Sequence, residues 1–212
     1  MDAVTYILKK FNKENYTGEM PITVECLRRG IPEIFRELGL NTGVEIGVAG
    51  GRFSETLMMH HPEVKLYCVD PYKAYDEYFD YVRQDRISDF KISADERLKR
   101  FEGRFEFIIK PSQEAVKDFA DESLDFVYVD GNHIFKYVVD DIYEWSKKVK
   151  KGGIISGHDY DFCKRPAIIH VNEVVNAYTV AYDIKPWFVT KSMPEISNRH
   201  GDVTRSFFWV KG

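Results

Sequence analysis

Two short runs hold side chains able to move a proton or bind a cation: Asp130-Gly131-Asn132-His133 and His158-Asp159. An imidazole titrates near neutral pH, so His133 can take the proton of a hydroxyl acceptor, and Asp130, three residues earlier, can face the same pocket. Asp130, His158 and Asp159 also offer the donor types of a divalent-ion site, which would lower the pKa of a bound hydroxyl and orient it. Such a mixed nitrogen and oxygen set does not choose among Mg²⁺, Mn²⁺ and other divalent ions. The same groups could instead form a hydrogen-bond cluster that only orients His133.

A third run, Val44 to Arg52, reads as an apolar strand turning through glycines into a helix. Gly47 and Gly51 lack Cβ and would let a ligand lie against the main chain. Glu45 stands two residues before the first glycine, where its charge would oppose a pyrophosphate and favour a cationic ligand. The glycine spacing also departs from the G-x-G-x-x-G dinucleotide fingerprint. Asp70 ends the next strand about 20 residues after Gly51, the spacing at which an acid takes ribose hydroxyls. Tyr72 follows and could pack on the same ligand.

These residues need strands to present them. Apolar runs over 65–69, 105–109, 124–129, 153–157, 187–190 and 205–210 predict six more strands, with helices between most of them. Ser93-x-x-Glu96 reads as a helix start with Ser93 capping it. Ser112 reads as the N-cap of a helix through Phe119. Ile134, Val138, Ile142, Trp145 and Val149 mark one face of a helix stopped by Gly152-Gly153, and a further helix is predicted over 171–180. Before the first strand, Val4, Ile7, Leu8 and Phe11 have helical spacing. Thr23 to Leu38 reads as a second helix or a pair broken at Gly30-Ile31-Pro32, and Gly39 as its stop. Residues 1–40 are thus expected as a helical segment packed on the core and 41–212 as the main domain, one domain overall. Residues 72–90 interleave aromatics with acids and could pack on the domain as a helix or close over a substrate. Tyr160, Asp161, Arg165, Asn198, Arg199 and His200 lie on loops at the same edge, as solvated residues or acceptor contacts.

With 212 residues, 44% of them hydrophobic, the chain can bury one good core. The net charge of −4 with interspersed acids and bases gives no footprint for nucleic acid. Three widely spaced cysteines argue for reduced thiols and a cytoplasmic setting. No apolar run approaches the roughly 20 residues of a membrane span. Oligomeric state is open, a homo-oligomer included.

Glu45-x-Gly47-x-x-x-Gly51 resembles motif I of class I S-adenosylmethionine (SAM)-dependent methyltransferases. SAM carries an ammonium and a sulfonium and no phosphate, which suits an acidic strand end. The resemblance implies an α/β, Rossmann-like, doubly wound seven-stranded sheet, mostly parallel with an antiparallel last strand and helices on both faces. It implies that Glu45 holds the methionine end, Asp70 the ribose, and Ser112 and Gln113 the adenine, with Gly47, Gly51, Tyr72 and Asp130 also beside the cofactor. The Asp130, His133 and His158-Asp159 set is similar to catechol-type O-methyltransferases, whose metal ligands match Asp130, His158 and Asp159 and whose base matches His133. Here a His replaces the usual Lys base, and His158 stands at a carboxylate position. Asp-Gly-x-His with Gly-His-Asp-Tyr looks like the branch of sugar and antibiotic O-methyltransferases. The resemblance covers about residues 42–160 and implies a small-molecule acceptor. A nicotinamide-dependent oxidoreductase fits Asp70 but neither Glu45 nor the glycine spacing. A non-catalytic SAM-binding module is the remaining alternative.

Overall fold

A computed structural model of the chain describes residues 1–75, 82–161, 169–192 and 204–212. In chain order the elements are α1 (Ala3–Lys10), β1 (Ile22–Thr23), a 3-10 turn (Arg28–Gly30), α2 (Ile31–Glu37), β2 (Thr42–Ile46), α3 (Arg52–His60), β3 (Lys65–Val69) and α4 (Gln84–Leu98). They continue as β4 (Phe105–Ile108), α5 (Ser112–Ala115), β5 (Leu124–Val129), α6 (Phe135–Lys148), β6 (Val149–Gly157), α7 (Val171–Ala181), β7 (Trp187–Val189) and β8 (Phe207–Val210).

Among the described residues the strands form one sheet of eight, in the order β1-β7-β8-β6-β5-β2-β3-β4. Only β8 runs antiparallel to its neighbours, β6 and β7. This is the expected Rossmann-like methyltransferase fold with one strand more. The extra strand, β1, falls where the sequence reading began a helix at Thr23. Its residues pair with β7 instead, and the Val24 amide donates to the Val189 carbonyl at 2.9 Å. The β-branched run Ile22-Thr23-Val24 suits an edge strand better than a helix.

Strand alternation sends side chains into two apolar cores, one on each face. One holds Ile7, Phe35, Phe53, Leu57, Ile87 and Leu98 from α1 to α4 against Leu66, Cys68, Phe126 and Tyr128. The other packs Val138, Ile142, Trp145, Val174 and Val175 of α6 and α7 against Val44, Val127, Ile155 and Trp209. Helix α4 starts at Gln84, nine residues before the expected Ser93 cap, because Ile87, Ala94 and Leu98 form one continuous buried stripe. Helix α6 ends at Lys148, and Val149 to Lys151 join β6, where Val149 pairs with Leu124 across a register shift. Of the 72–90 segment, 76–81 lie outside the described residues. The acceptor candidates Arg165, Asn198, Arg199 and His200 lie outside them too. No helix among the described residues is long and apolar enough to cross a membrane.

The sheet face under α2 leaves no room at Gly43. A Cβ there would stand 2.2 Å from Cζ of Phe126, whose ring stacks on Phe35 with centroids 4.2 Å apart. Gly43→Ala should cost about 1–3 kcal/mol by overpacking, read as a lower urea midpoint, and Phe126→Leu in the same chain should recover part of the loss. An unchanged midpoint for Gly43→Ala would contradict this packing.

Candidate active site

The chain leaves β2 outward through β3 and β4, then returns to pair β5 on the other side of β2. Such a reversal opens a crevice beyond the strand tips. A cavity of about 1010 Å³ lies there, and Glu45, Gly47, Asp70, Ser112, Gln113, Asp130 and His133 all border it. Gly51, Tyr72, His158 and Asp159 are not among its lining residues.

The two key glycines answer to packing as much as to a ligand. Gly47 has φ +85°, and a Cβ on it would meet the Asp130 carbonyl oxygen at 2.1 Å. Gly51 has φ +73° at the start of α3, and its Cβ would press on Ala94 of α4 at 3.1 Å. Between them Asp70 braces the turn: its carboxylate accepts from the Ala49 amide at 3.0 Å and the Tyr72 amide at 2.9 Å. Ala49 and Tyr72 both sit at positive φ, +45° and +43°, a strained backbone held by those bonds. The Tyr72 hydroxyl donates to the Ala49 carbonyl at 2.9 Å and its ring meets Phe107 edge-on. Tyr72 therefore locks the turn from the core side and does not present its ring to the cavity, contrary to expectation.

Alternation along β2 points Glu45 toward α3, where the Ser54 hydroxyl donates to it. The side chain is 1% exposed, and burial pushes its carboxyl up to about 8 against the opposing pull of Ser54 and Arg28. Ser112 opens α5 but does not cap it, since Pro111 occupies the cap position. Its hydroxyl instead donates to Asp141 at 2.5 Å and accepts from the Trp145 indole at 2.7 Å. Asp141 also borders the cavity, and burial pushes its carboxyl up to about 7. The sequence reading missed it, although the spacing Val138, Asp141, Ile142, Trp145 puts an acid on the apolar stripe of α6.

The loop after β5 is pinned at several points. The Asp130 amide donates to the Ile46 carbonyl at 2.8 Å, Asn132 accepts from the Ile134 amide at 2.9 Å, and the His133 carbonyl accepts from the His170 amide at 2.9 Å. This brings His133 Nε2 to 3.3 Å from Asp159 Oδ2 and 3.6 Å from Asp130 Oδ1. Burial resists ionisation of Asp130, but Arg28, His158 and the His133 hydrogen bond hold its carboxyl below the usual range. For Asp159, burial is outweighed by His158, His133 and Thr204, and its carboxyl lies well below the usual range. Asp159 itself has φ +54°.

Arg28 is the largest omission of the sequence reading. It arrives on the 3-10 turn after β1, from a segment read only as cover for the sheet. Its Nη2 donates to Asp130 Oδ2 at 2.5 Å, its Nη1 lies 3.4 Å from His158 Nδ1, and its guanidinium lies over the rings of Phe53 and Tyr128. No periodicity marks it, because its partners are a hundred residues away. On its other side, His158 Nε2 lies 3.1 Å from Thr204 Oγ1, whose hydroxyl donates to Asp159 Oδ1 at 2.7 Å. The Thr204 proton is thus committed to Asp159, while His158 Nδ1 lies 3.4 Å from Arg28 Nη1, 3.5 Å from Asp159 Oδ1 and 3.7 Å from Asp130 Oδ1. Among the described residues, Asp130, His133 and Asp159 have donor atoms that all lie within 4.8 Å of one another, with His158 Nδ1 beside both carboxylates. Tyr160 and Asp161 serve the scaffold: the Tyr160 hydroxyl donates to Asn176 at 3.0 Å, and Asp161 accepts from Arg205 Nε at 2.5 Å.

A switch-point crevice with an acid-Gly turn, a second strand-tip acid and a polar tip on β5 is the arrangement of the class I SAM-dependent methyltransferase fold. The chain belongs to the family described as Methyltransferase domain, whose model matches residues 44–160. No curated protein matches it significantly in sequence. Among solved structures, it is similar to a proposed caffeoyl-CoA O-methyltransferase from Staphylococcus aureus, with a TM-score of 0.60, 15% identity and coverage of 98% of this chain and 91% of that one. An O-methyltransferase family protein from Burkholderia thailandensis gives 0.59 at 10% identity over 87% of this chain, which spans 55% of that protein. Spermidine synthase from Thermotoga maritima gives 0.55 at 15% identity, over 88% of this chain and 60% of that one. At these identities the likeness is one of fold.

Asp141 yields a stability prediction. Burial lifts its folded carboxyl to about 7 from an ordinary value of 3.8, so the stability it contributes is full below about pH 4 and lost as pH rises through about 7. The urea midpoint of the wild type should fall between pH 5 and pH 8, and Asp141→Asn should remove part of that slope, leaving the part due to Glu45. Equal slopes in the two proteins would contradict a protonated Asp141.

Proposed function

We propose that the chain is a SAM-dependent O-methyltransferase of a small hydroxylated acceptor, a sugar, phenol or related natural product, with His133 as the general base. The observation that carries this reading is the His133 imidazole beside two ionised carboxylates, bordering the same cavity as Glu45 and Asp70.

The residues fit the donor. Glu45 is a buried acid with too little positive charge beside it to keep it ionised, and an ammonium ion in the cavity would supply that charge. Asp70 borders the cavity at the tip of β3, where its carboxylate would accept from ribose hydroxyls. Ser112 and Gln113 border the same cavity, where they would meet the adenine, and Gly47 and Asp130 border it too. When bound, SAM supplies an electrophilic methyl group on a sulfonium. The chain then has to hold the acceptor oxygen in line and remove its proton. His133 takes that proton on its imidazole, and Asp130 and Asp159, which lie beside Nε2, stabilise the imidazolium that results.

A divalent ion does not fit the donors present. Both nitrogens of His158 are engaged by Arg28 and Thr204, and Asp130 Oδ2 is held by Arg28. The remaining set would need His133 as a ligand and so would remove the base. The acceptor proposed is a small molecule and not nucleic acid, given the net charge of −4. A cytoplasmic setting is proposed from Cys26 and Cys68, both free thiols.

Methyl-labelled SAM with a panel of sugars and phenols tests the reading. His133→Gln should lower kcat by about 10²–10⁴-fold while leaving the SAM Kd unchanged. A variant as active as the wild type would rule out His133 as the base.

A further inference from the structure

Buried carboxylates at the tips of β5 and β6 need a positive charge, and the chain brings one of its own. Arg28 is 15% exposed and pairs with Asp130 at 2.5 Å. Its planar guanidinium is held over Phe53 and Tyr128 at 4.6 and 5.3 Å from the ring centroids, and those two rings are themselves stacked at 3.9 Å. A third restraint is His158, which receives from Nη1 and is fixed in turn by Thr204. Four side chains, from α3, β5 and the tips of β5 and β6, therefore hold one cation in one place.

We propose that Arg28 takes the place that a divalent ion would otherwise fill at these strand tips, serving as a fixed, built-in cation for methyl transfer. The inference rests on the O-methyltransferase reading above. Charge balance supports it. With His133 neutral, Arg28, Asp130 and Asp159 sum to −1, and proton uptake by His133 brings the set to zero. An added divalent ion would turn these values into +1 and +2, next to a donor that is itself cationic. Repulsion between like charges is severe where water is largely excluded. Arg28 also borders the cavity, and its buried Nε–H has no hydrogen-bond partner among the described residues. A donor left in that condition is relieved when an oxygen of a bound molecule reaches it. Lysine could supply the charge but neither the fork to Asp130 and His158 nor the flat face against two rings.

Mn²⁺ titrated into the protein and followed by electron paramagnetic resonance tests this without any acceptor. The wild type should leave the free-ion signal intact through the sub-millimolar range. Arg28→Met, which frees Asp130 and removes the neighbouring positive charge, should take up one equivalent with affinity raised by about tenfold or more, and Arg28→Lys should stay close to the wild type. One Mn²⁺ bound by the wild type at least as tightly as by Arg28→Met would overturn the proposal. So would a failure of Arg28→Met to bind Mn²⁺ at all while circular dichroism shows it folded. If Arg28→Met does not fold, Arg28→Gln carries the same comparison. Because no turnover is read, a chain that methylates none of the acceptors yet shows this Mn²⁺ pattern would reject the enzymatic reading and keep the role of Arg28 as resident cation.

Discussion

Negative charge concentrated in a nearly dry crevice is the constraint on which the site depends. Five acids, Glu45, Asp70, Asp130, Asp141 and Asp159, gather at the carboxyl ends of β2, β3, β5 and β6 and on α6, and none is more than about a fifth exposed. Ionised groups in such a place must find partners or give up their charge. The chain uses both routes. Asp70 is held by two backbone amides, Asp130 by Arg28, and Asp159 by Thr204 and the neighbouring imidazoles. Glu45 and Asp141 have only hydroxyl partners and respond by holding a proton more tightly.

That division has a functional consequence. The acids with strong partners make a fixed framework around His133. The two that remain protonatable line the cavity where a ligand would lie. Glu45 in particular is poised to ionise when a cation arrives, which couples donor binding to the charge of the pocket. Backbone strain is concentrated at the same edge: Ala49, Tyr72 and Asp159 all occupy the left-handed region beside the groups they position. Gly47, meanwhile, lets the tip of β5 approach that of β2 closely enough for Asp130 and Glu45 to share one cavity.

The parallel sheet and the acid-Gly turn were legible because their signals are local. Apolar runs of four to six residues, an acid at the ends of β2, β3, β5 and β6 and glycines at fixed offsets all lie within a few residues of one another. What was missed depends on long-range contact. Arg28 meets Asp130 across 102 positions, and nothing near Arg28 announces that meeting. Thr204 fixes His158 and Asp159 from 45 or 46 positions away. Ser112 looked like a cap because serine before a short helix usually is one, but a buried acid on α6 competed for its hydroxyl and won. Ser93 failed as a helix start for a related reason: the apolar stripe of α4 extends well before it, and burial overrode a local capping pattern.

The central claim is that a buried, protonated acid at the tip of β2 awaits a cationic donor, and SAM titration calorimetry at pH 7 in buffers of different ionisation enthalpy tests it most directly. Burial pushes the Glu45 carboxyl up to about 8, so binding of a cation should expel its proton. The account predicts an enthalpy that varies with the buffer, corresponding to release of roughly half a proton to one proton per SAM, and loss of that release in Glu45→Gln. A buffer-independent enthalpy in the wild type, or the same proton release from Glu45→Gln, would contradict it.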